Sequence, residues 1–166
     1  MAVLVSGLTN IETTLRVEGF PVVYQPVRYP FFGIESTVSG VGVNVAKALT
    51  ALGETVDFLS LTGNDPHHTW VCTELEKSGI PSGGVLPLLR ETPASVILYD
   101  GEGRRQINVD LKEIQETAFP EAVFGAAAAR AGLFVLCNIN FSRPFLQLAR
   151  ATGKPVATDV HALSDL

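Results

Sequence analysis

Ser39-Gly40-Val41-Gly42-Val43-Asn44-Val45-Ala46 places two glycines immediately ahead of an apolar pattern of helical period. Val45, Leu49 and Leu52 follow at i, i+4 and i+7, and Gly53 stands where such a helix would end. The spacing predicts an amphipathic helix over 41–52. Glycines at the start of a helix let the backbone approach a ligand closely and leave amides open, which suits hydroxyl oxygens or an anion. The stretch lacks both the third glycine of a dinucleotide-binding turn and the Gly-Lys-Ser/Thr of a nucleotide phosphate loop. A glycine turn used only for packing is the competing reading.

Upstream, Ala2–Ser6 is a short apolar run closed by Gly7, the pattern of a strand buried on both faces of a parallel sheet. It leads into Leu8-Thr9-Asn10-Ile11-Glu12, where an amide and a carboxylate two residues apart on an extended segment can point the same way. Such a pair could clasp adjacent hydroxyls, since Glu only accepts while Asn donates and accepts. The alternative is a turn followed by a solvated acid. Between 12 and 38, Thr13, Leu15, Val17, Val22, Tyr24, Val27 and Tyr29 recur nearly at alternate positions with Gly19, Pro21, Pro26 and Pro30 between them. This predicts short, half-exposed antiparallel strands.

Downstream, 56–61 reads as a strand, and Asp65-Pro66 as N-cap and first helical residue of a helix running to Ser78, stopped by Gly79. Residues 95–99 and 106–109 are strand-like and joined by Asp100-Gly101-Glu102-Gly103, a hairpin signal. A helix over 120–130, a strand over 133–137, a helix over 141–152 and a strand over 155–158 closing on Asp159 complete the pattern. Strands alternating with helices imply right-handed crossovers and a parallel sheet, with the antiparallel insertions forming a separate small sheet. Ending just after a strand, the chain reads as truncated relative to its own architecture.

Composition narrows the function. The 166 residues are 46% hydrophobic with a formal charge of −5, and no run of Lys or Arg exists. This argues against nucleic acid or an anionic membrane as the partner and favours a small polar ligand. The N-terminus carries no basic leader, and the apolar stretch 126–136, broken by Arg130 and Gly132, is shorter than the roughly 20 residues that span a bilayer. Cys72 and Cys137 suit reduced thiols of a cytoplasmic protein, with a disulfide or metal pair as the lesser alternative.

The stretch 39–46, SGVGVNVA, resembles the glycine-rich sugar-binding signature of the ribokinase (PfkB) family, GG-x-G-x-N-x-A. Gly7, Asn10 and the acid at 12 are similar to the family's G-x-x-N-x-D start. Leu52-Gly53 with Gly63-Asn64-Asp65 resembles its LG…GxD segment, and Leu75 to Ile80 its L-x-x-x-G-V segment. Thr92-Pro93 with Tyr99 to Arg104 resembles its lid hairpin, and Gly153 to Val156 with Asp159 the strand before its central loop.

The resemblance implies an α/β fold, a ribokinase-like three-layer αβα sandwich with a mostly parallel sheet and a small antiparallel β-lid. Residues 1–166 would be a partial domain with lid insertions at approximately 12–38 and 94–109, the C-terminal nucleotide-binding part being absent. It also implies that Asn10, Glu12, Ser39, Gly40, Val41, Gly42 and Asn44 bind substrate, with Arg104 reaching over from the lid. The implied activity is ATP-dependent, Mg²⁺-assisted phosphotransfer to a sugar or nucleoside hydroxyl; the alternative is a non-catalytic binding or sensor homologue, and a third an unrelated Rossmann-like domain. The family's D-T-x-G-A-G-D segment is absent here, so no catalytic residue is assigned and this portion alone is expected to be inactive. A homodimer through the lid is a further expectation.

Two departures bear on substrate. Glu12 replaces the usual Asp, and Ser39 and Val41 replace the Gly and frequent Lys of the ribose-specific pattern. Of the other polar residues, His67 and His68 read as a solvated helix start. Asn138, Asn140 and Asp159 follow strands and could touch a ligand, while Trp70 and the Phe residues read as core.

Overall fold

The computed structural model describes residues 1–160. The chain runs β1 (Ala2–Ser6), β2 (Asn10–Arg16), β3 (Ile34–Ser39), α1 (Val41–Ala51), β4 (Val56–Gly63), α2 (Pro66–Lys77), β5 (Val85–Leu89), β6 (Ala94–Tyr99), β7 (Arg105–Asp110), α3 (Glu121–Ala128), β8 (Ala131–Leu136), α4 (Phe145–Ala151) and β9 (Val156–Ala157).

Five strands form a parallel sheet in the order β5-β4-β1-β8-β9. Central strand β1 explains why: Leu4 faces one apolar cluster while Val3 and Val5 face the other. On Leu4's side, Phe124 of α3 stacks on Phe145 of α4 with ring centres 4.0 Å apart. On the opposite side, Val43 and Ala46 of α1 and Val71 and Leu75 of α2 pack over Val3, Val5 and Phe58. Helices on both faces of a parallel sheet make three layers.

Turn chemistry sets the helix ends. Asp65 caps α2 by accepting the His67 and His68 amides, and Gly79 leaves that helix at φ +76°. α4 begins only at Phe145, after Pro144, rather than at 141. Strand β5, which its sequence does not announce, carries Pro87 in mid-strand. It lies at the sheet edge, where a missing N–H costs no ladder bond.

The second sheet, order β3-β2-β6-β7, is the separate small lid sheet, built of two antiparallel pairs joined where β2 and β6 pair in parallel. Both strands follow, through short links, from strands of the same parallel sheet, β1 and β5, so they leave it in one direction. Strands β2/β3 and β6/β7 are antiparallel. A correction concerns 17–33, where no strand forms among Val22, Tyr24, Val27 and Tyr29. Both sides of β2 are already taken by β3 and β6, and Pro21, Pro26 and Pro30 remove backbone donors. The segment instead crosses the far end of this sheet, tied by Arg16 N–H to Gly33 O and Val17 N–H to Tyr99 O.

No helix among the described residues is long and apolar enough to cross a membrane. Cys72 and Cys137 are both free thiols.

Candidate substrate site

Where β1 ends, three backbones converge. A Cβ on Gly7 would lie 2.7 Å from Cys137 Sγ, and one on Gly42 would lie 2.5 Å from the Gly7 carbonyl carbon. Gly42 N–H donates to Leu8 O at 3.1 Å, and Gly40 turns the chain from β3 into α1 at φ +110° with its α-carbon against the Leu8 backbone. Glycine at 40 and 42 therefore docks the start of α1 onto the β1–β2 turn, and the Gly42 amide is already used. Val41 lies half-buried between them.

Docking α1 here brings four polar side chains of the sequence-derived set together. Asn10, Glu12 and Ser39 lie on one face of the lid sheet, since Asn10 pairs in register with Ser39. Ser39 donates its hydroxyl to Glu12 Oε2 at 3.3 Å and accepts from Asn44 Nδ2 at 3.4 Å. Asn44 stands exposed in the first turn of α1, Glu12 is half-buried, and Asn10 and Ser39 are buried.

A fifth residue, Ser95 of β6, escaped the sequence reading. It pairs in register with Glu12, is buried, and accepts from Asn10 Nδ2 at 2.9 Å. Alternation with Ile97 could have placed Ser95 on a face, but which strand lies beside it is a non-local fact. With its Nδ2 engaged, Asn10 keeps Oδ1 buried with no protein partner. The set presents the half-buried Glu12 carboxylate as an acceptor beside the exposed Asn44 amide, groups that match hydroxyls, with the unpartnered Asn10 Oδ1 buried behind them.

Residues 2–148 match the family described as pfkB family carbohydrate kinase. The chain belongs to that family. Solved structures share its fold: a microbiome-derived acarbose kinase (TM-score 0.87, 24% identity), Arabidopsis thaliana ribokinase complexed with ribose and ATP (0.80, 18%) and Burkholderia thailandensis nucleoside kinase in complex with inosine (0.72, 14%). The matches cover 98%, 99% and 95% of this chain but 54%, 55% and 52% of theirs. The PfkB chain thus spans about half the length of these neighbours. No curated protein matches it.

The PfkB chain holds Arg104 apart from this cluster. Its Nε donates to Asp100 Oδ2 at 2.8 Å, its Nη2 lies 3.1 Å from Glu102 Oε2, and the guanidinium sits 5.9 Å from the Phe20 ring centre. Asp100 follows Ser95 by five residues along β6, roughly 17 Å of extended chain. In this structure Arg104 ties the hairpin to the 17–33 segment through Asp100, Glu102 and Phe20. Burial opposes ionisation of Asp100, but Arg104 and the Arg104 and Glu102 amides outweigh it and hold the carboxyl below its ordinary value.

Across the sheet, Asn138 N–H donates to Asp159 Oδ1 at 2.8 Å, and Asn138 Oδ1 accepts from Arg143 at 2.8 and 3.1 Å. Its Nδ2 is buried without a protein partner. Asn138 and Arg143 line a cavity of about 380 Å³ together with Cys137, Leu146 and Val156. Burial, then the Asp159 charge, pushes the Cys137 thiol up to about 12. Asn140 instead turns outward and bonds Gln115 O.

Asp65 links the core to the lid. Beyond capping α2 it accepts from the Thr92 amide at 2.7 Å and the Thr92 hydroxyl at 2.9 Å, just before β6. His68, expected to be solvated, is half-buried with Nδ1 2.8 Å from Thr62 Oγ1, whereas His67 is exposed.

Proposed function

We propose that this PfkB chain is the substrate-binding half of a cytoplasmic ATP-dependent phosphotransferase that acts on a sugar or nucleoside hydroxyl. The observation that carries the reading is the cluster of Asn10, Glu12, Ser39 and Asn44, built where α1 docks at the end of β1 beneath the lid sheet. Ligands of open parallel sheets bind beyond the carboxyl ends of the strands, which is where this cluster stands. Asn10 and Glu12 accept from ligand hydroxyls and Asn44 donates. Gly40, Val41 and Gly42 form the floor. The fold neighbours' ligands, ribose and inosine, are rich in hydroxyls of this kind.

The family's reaction also uses ATP and Mg²⁺. Among the described residues no group of three His, Cys, Asp or Glu side chains is placed to hold a metal ion, and no phosphoryl-transfer step is derived from them. On this reading the base, the anion hole and the nucleotide site belong to chain that the full-length neighbours have in addition, and the present residues bind without turning over. The outer lid strands β3 and β7 have exposed apolar side chains at Ile34, Ile107 and Val109. An edge and face of this kind favour pairing with a second copy.

The test is a phosphorylation screen of the full-length protein with ATP against pentoses, hexoses and ribonucleosides. Asn44→Ala and Glu12→Gln are expected to raise KM at least tenfold for every accepted compound. Unchanged KM in both variants would overturn the assignment.

A further inference from the structure

We propose that Ser39 is the specificity-determining residue of the site, because its hydroxyl fills the position between Glu12 and Asn44 that a ligand hydroxyl would otherwise take. The inference rests on the cluster being the substrate site. Ser39 does what a ligand hydroxyl would do there, donating to a carboxylate and accepting from an amide. It does so loosely: contacts of 3.3 and 3.4 Å exceed the roughly 2.7–3.0 Å of well-made hydrogen bonds involving hydroxyls.

The Ser39 backbone cannot step aside. Ser39 is the last residue of β3, fixed by its register opposite Asn10, and Gly40 next to it is wedged against Leu8 where the chain turns into α1. Glu12 and Asn44 are longer, carry more rotatable bonds and are more open to solvent. A ligand therefore recruits Glu12 and Asn44 by turning them away from Ser39, not by displacing it. Two hydroxyls set apart, one for each side chain, are accommodated. A single hydroxyl or hydroxymethyl group directed between them meets Ser39 first. Glycine at 39 would leave that volume open, and alanine would keep part of the volume while releasing both partners.

The experiment uses the full-length protein with ATP and a panel of pentoses, hexoses, their single-deoxy analogues and ribonucleosides. It measures kcat/KM for wild type, Ser39→Ala, Ser39→Gly and Ser39→Thr, with Glu12→Gln and Asn44→Ala alongside. Ser39→Ala should change the preference between at least one sugar and its deoxy analogue by about tenfold, and Ser39→Gly should add activity on a bulkier compound. Ser39→Thr, which retains the hydroxyl, should keep the wild-type ranking of hydroxyl pattern. Thermal melting identifies a variant that does not fold, and Ser39→Ala, the mildest change, then decides alone.

If the serine variants keep the wild-type ranking within twofold while Glu12→Gln and Asn44→Ala lose activity, the inference about Ser39 fails and the site stands. If all five variants behave as wild type, or no compound on the panel reacts, the reading of the site fails and the inference with it.

Discussion

Ser95 faces Glu12 in the β2–β6 register, yet its hydroxyl accepts from Asn10 at 2.9 Å. Ser39, which faces Asn10 across β2–β3, bonds Glu12. Each serine thus holds the polar residue diagonal to it, so the strands on both sides of β2 fix its two polar side chains. Diagonal neighbours in a sheet are within reach of long side chains.

Ser95→Ala is expected to free the Asn10 amide and weaken ligand binding about tenfold, the equivalent of one net hydrogen bond at the strong end of its usual range of about 0.5–1.5 kcal/mol. The ligand's KM should rise while kcat holds. A melting temperature that falls with unchanged KM would reduce Ser95 to a structural residue.

Gly42→Ala should destabilise the protein more than Gly53→Ala. At 42 a Cβ meets the Gly7 backbone at 2.5 Å, so α1 must lift off, an overpacking cost of about 1–3 kcal/mol. At 53 the space is open and only the left-handed backbone, φ +91°, is penalised, by about 1–2 kcal/mol. Because α1 carries Asn44, Gly42→Ala should also raise KM, which Gly53→Ala should not. Denaturant unfolding and kinetics of the two variants check the order.

Asp65 gives the stability a dependence on acid. Burial raises its pKa, but the Thr92 amide and hydroxyl, nearby His67 and the His68 amide outweigh burial and hold it below the ordinary 3.8. A depressed folded-state value means that the stabilisation is fully present above the unfolded value and drains away as pH falls through the folded one. Asp65→Asn should therefore lower the melting temperature at neutral pH and flatten its decline below about pH 4. Parallel declines in both proteins would contradict the assignment.

Arg104→Gln should leave ligand KM within about twofold of wild type, since the guanidinium is held by Asp100 and Glu102 away from the cluster. The change should appear in the hairpin, where the amides of Glu102 and Arg104, both donating to Asp100, exchange faster with solvent. A large rise in KM would restore Arg104 to the ligand.

Cys137 should resist alkylation in the folded protein. A thiol pushed up to about 12 from 9.0 forms on the order of a thousandfold less thiolate at neutral pH, and burial blocks access as well. Labelling with iodoacetamide should proceed at Cys137 only after unfolding, as read by peptide mass spectrometry.

Local pattern determined a good deal of this protein. The run Val3-Leu4-Val5 and the Asp65-Pro66 cap with its Gly79 stop draw their structure from neighbours a few residues away and stand as the spacing indicates, whereas the helix expected over 41–52 forms at Val41–Ala51 but buries Val43 and Ala46, with Val45 and Leu49 half-buried and Leu52 exposed. The glycine stretch at 39–46 likewise fixes where α1 docks, because only glycine permits the contact between Gly42 and Gly7. Tertiary structure decided what depends on distant chain. It made the β2–β6 pair parallel, left 17–33 without a strand because both neighbours of β2 were already taken, and admitted Pro87 because β5 lies at an edge. It also tied Arg104 to Asp100 and brought Ser95, 85 positions away, against Asn10. Strand period tells which residues share a face, but the partner strand and its register are set by packing of the whole chain, and the candidate site is made of such pairings.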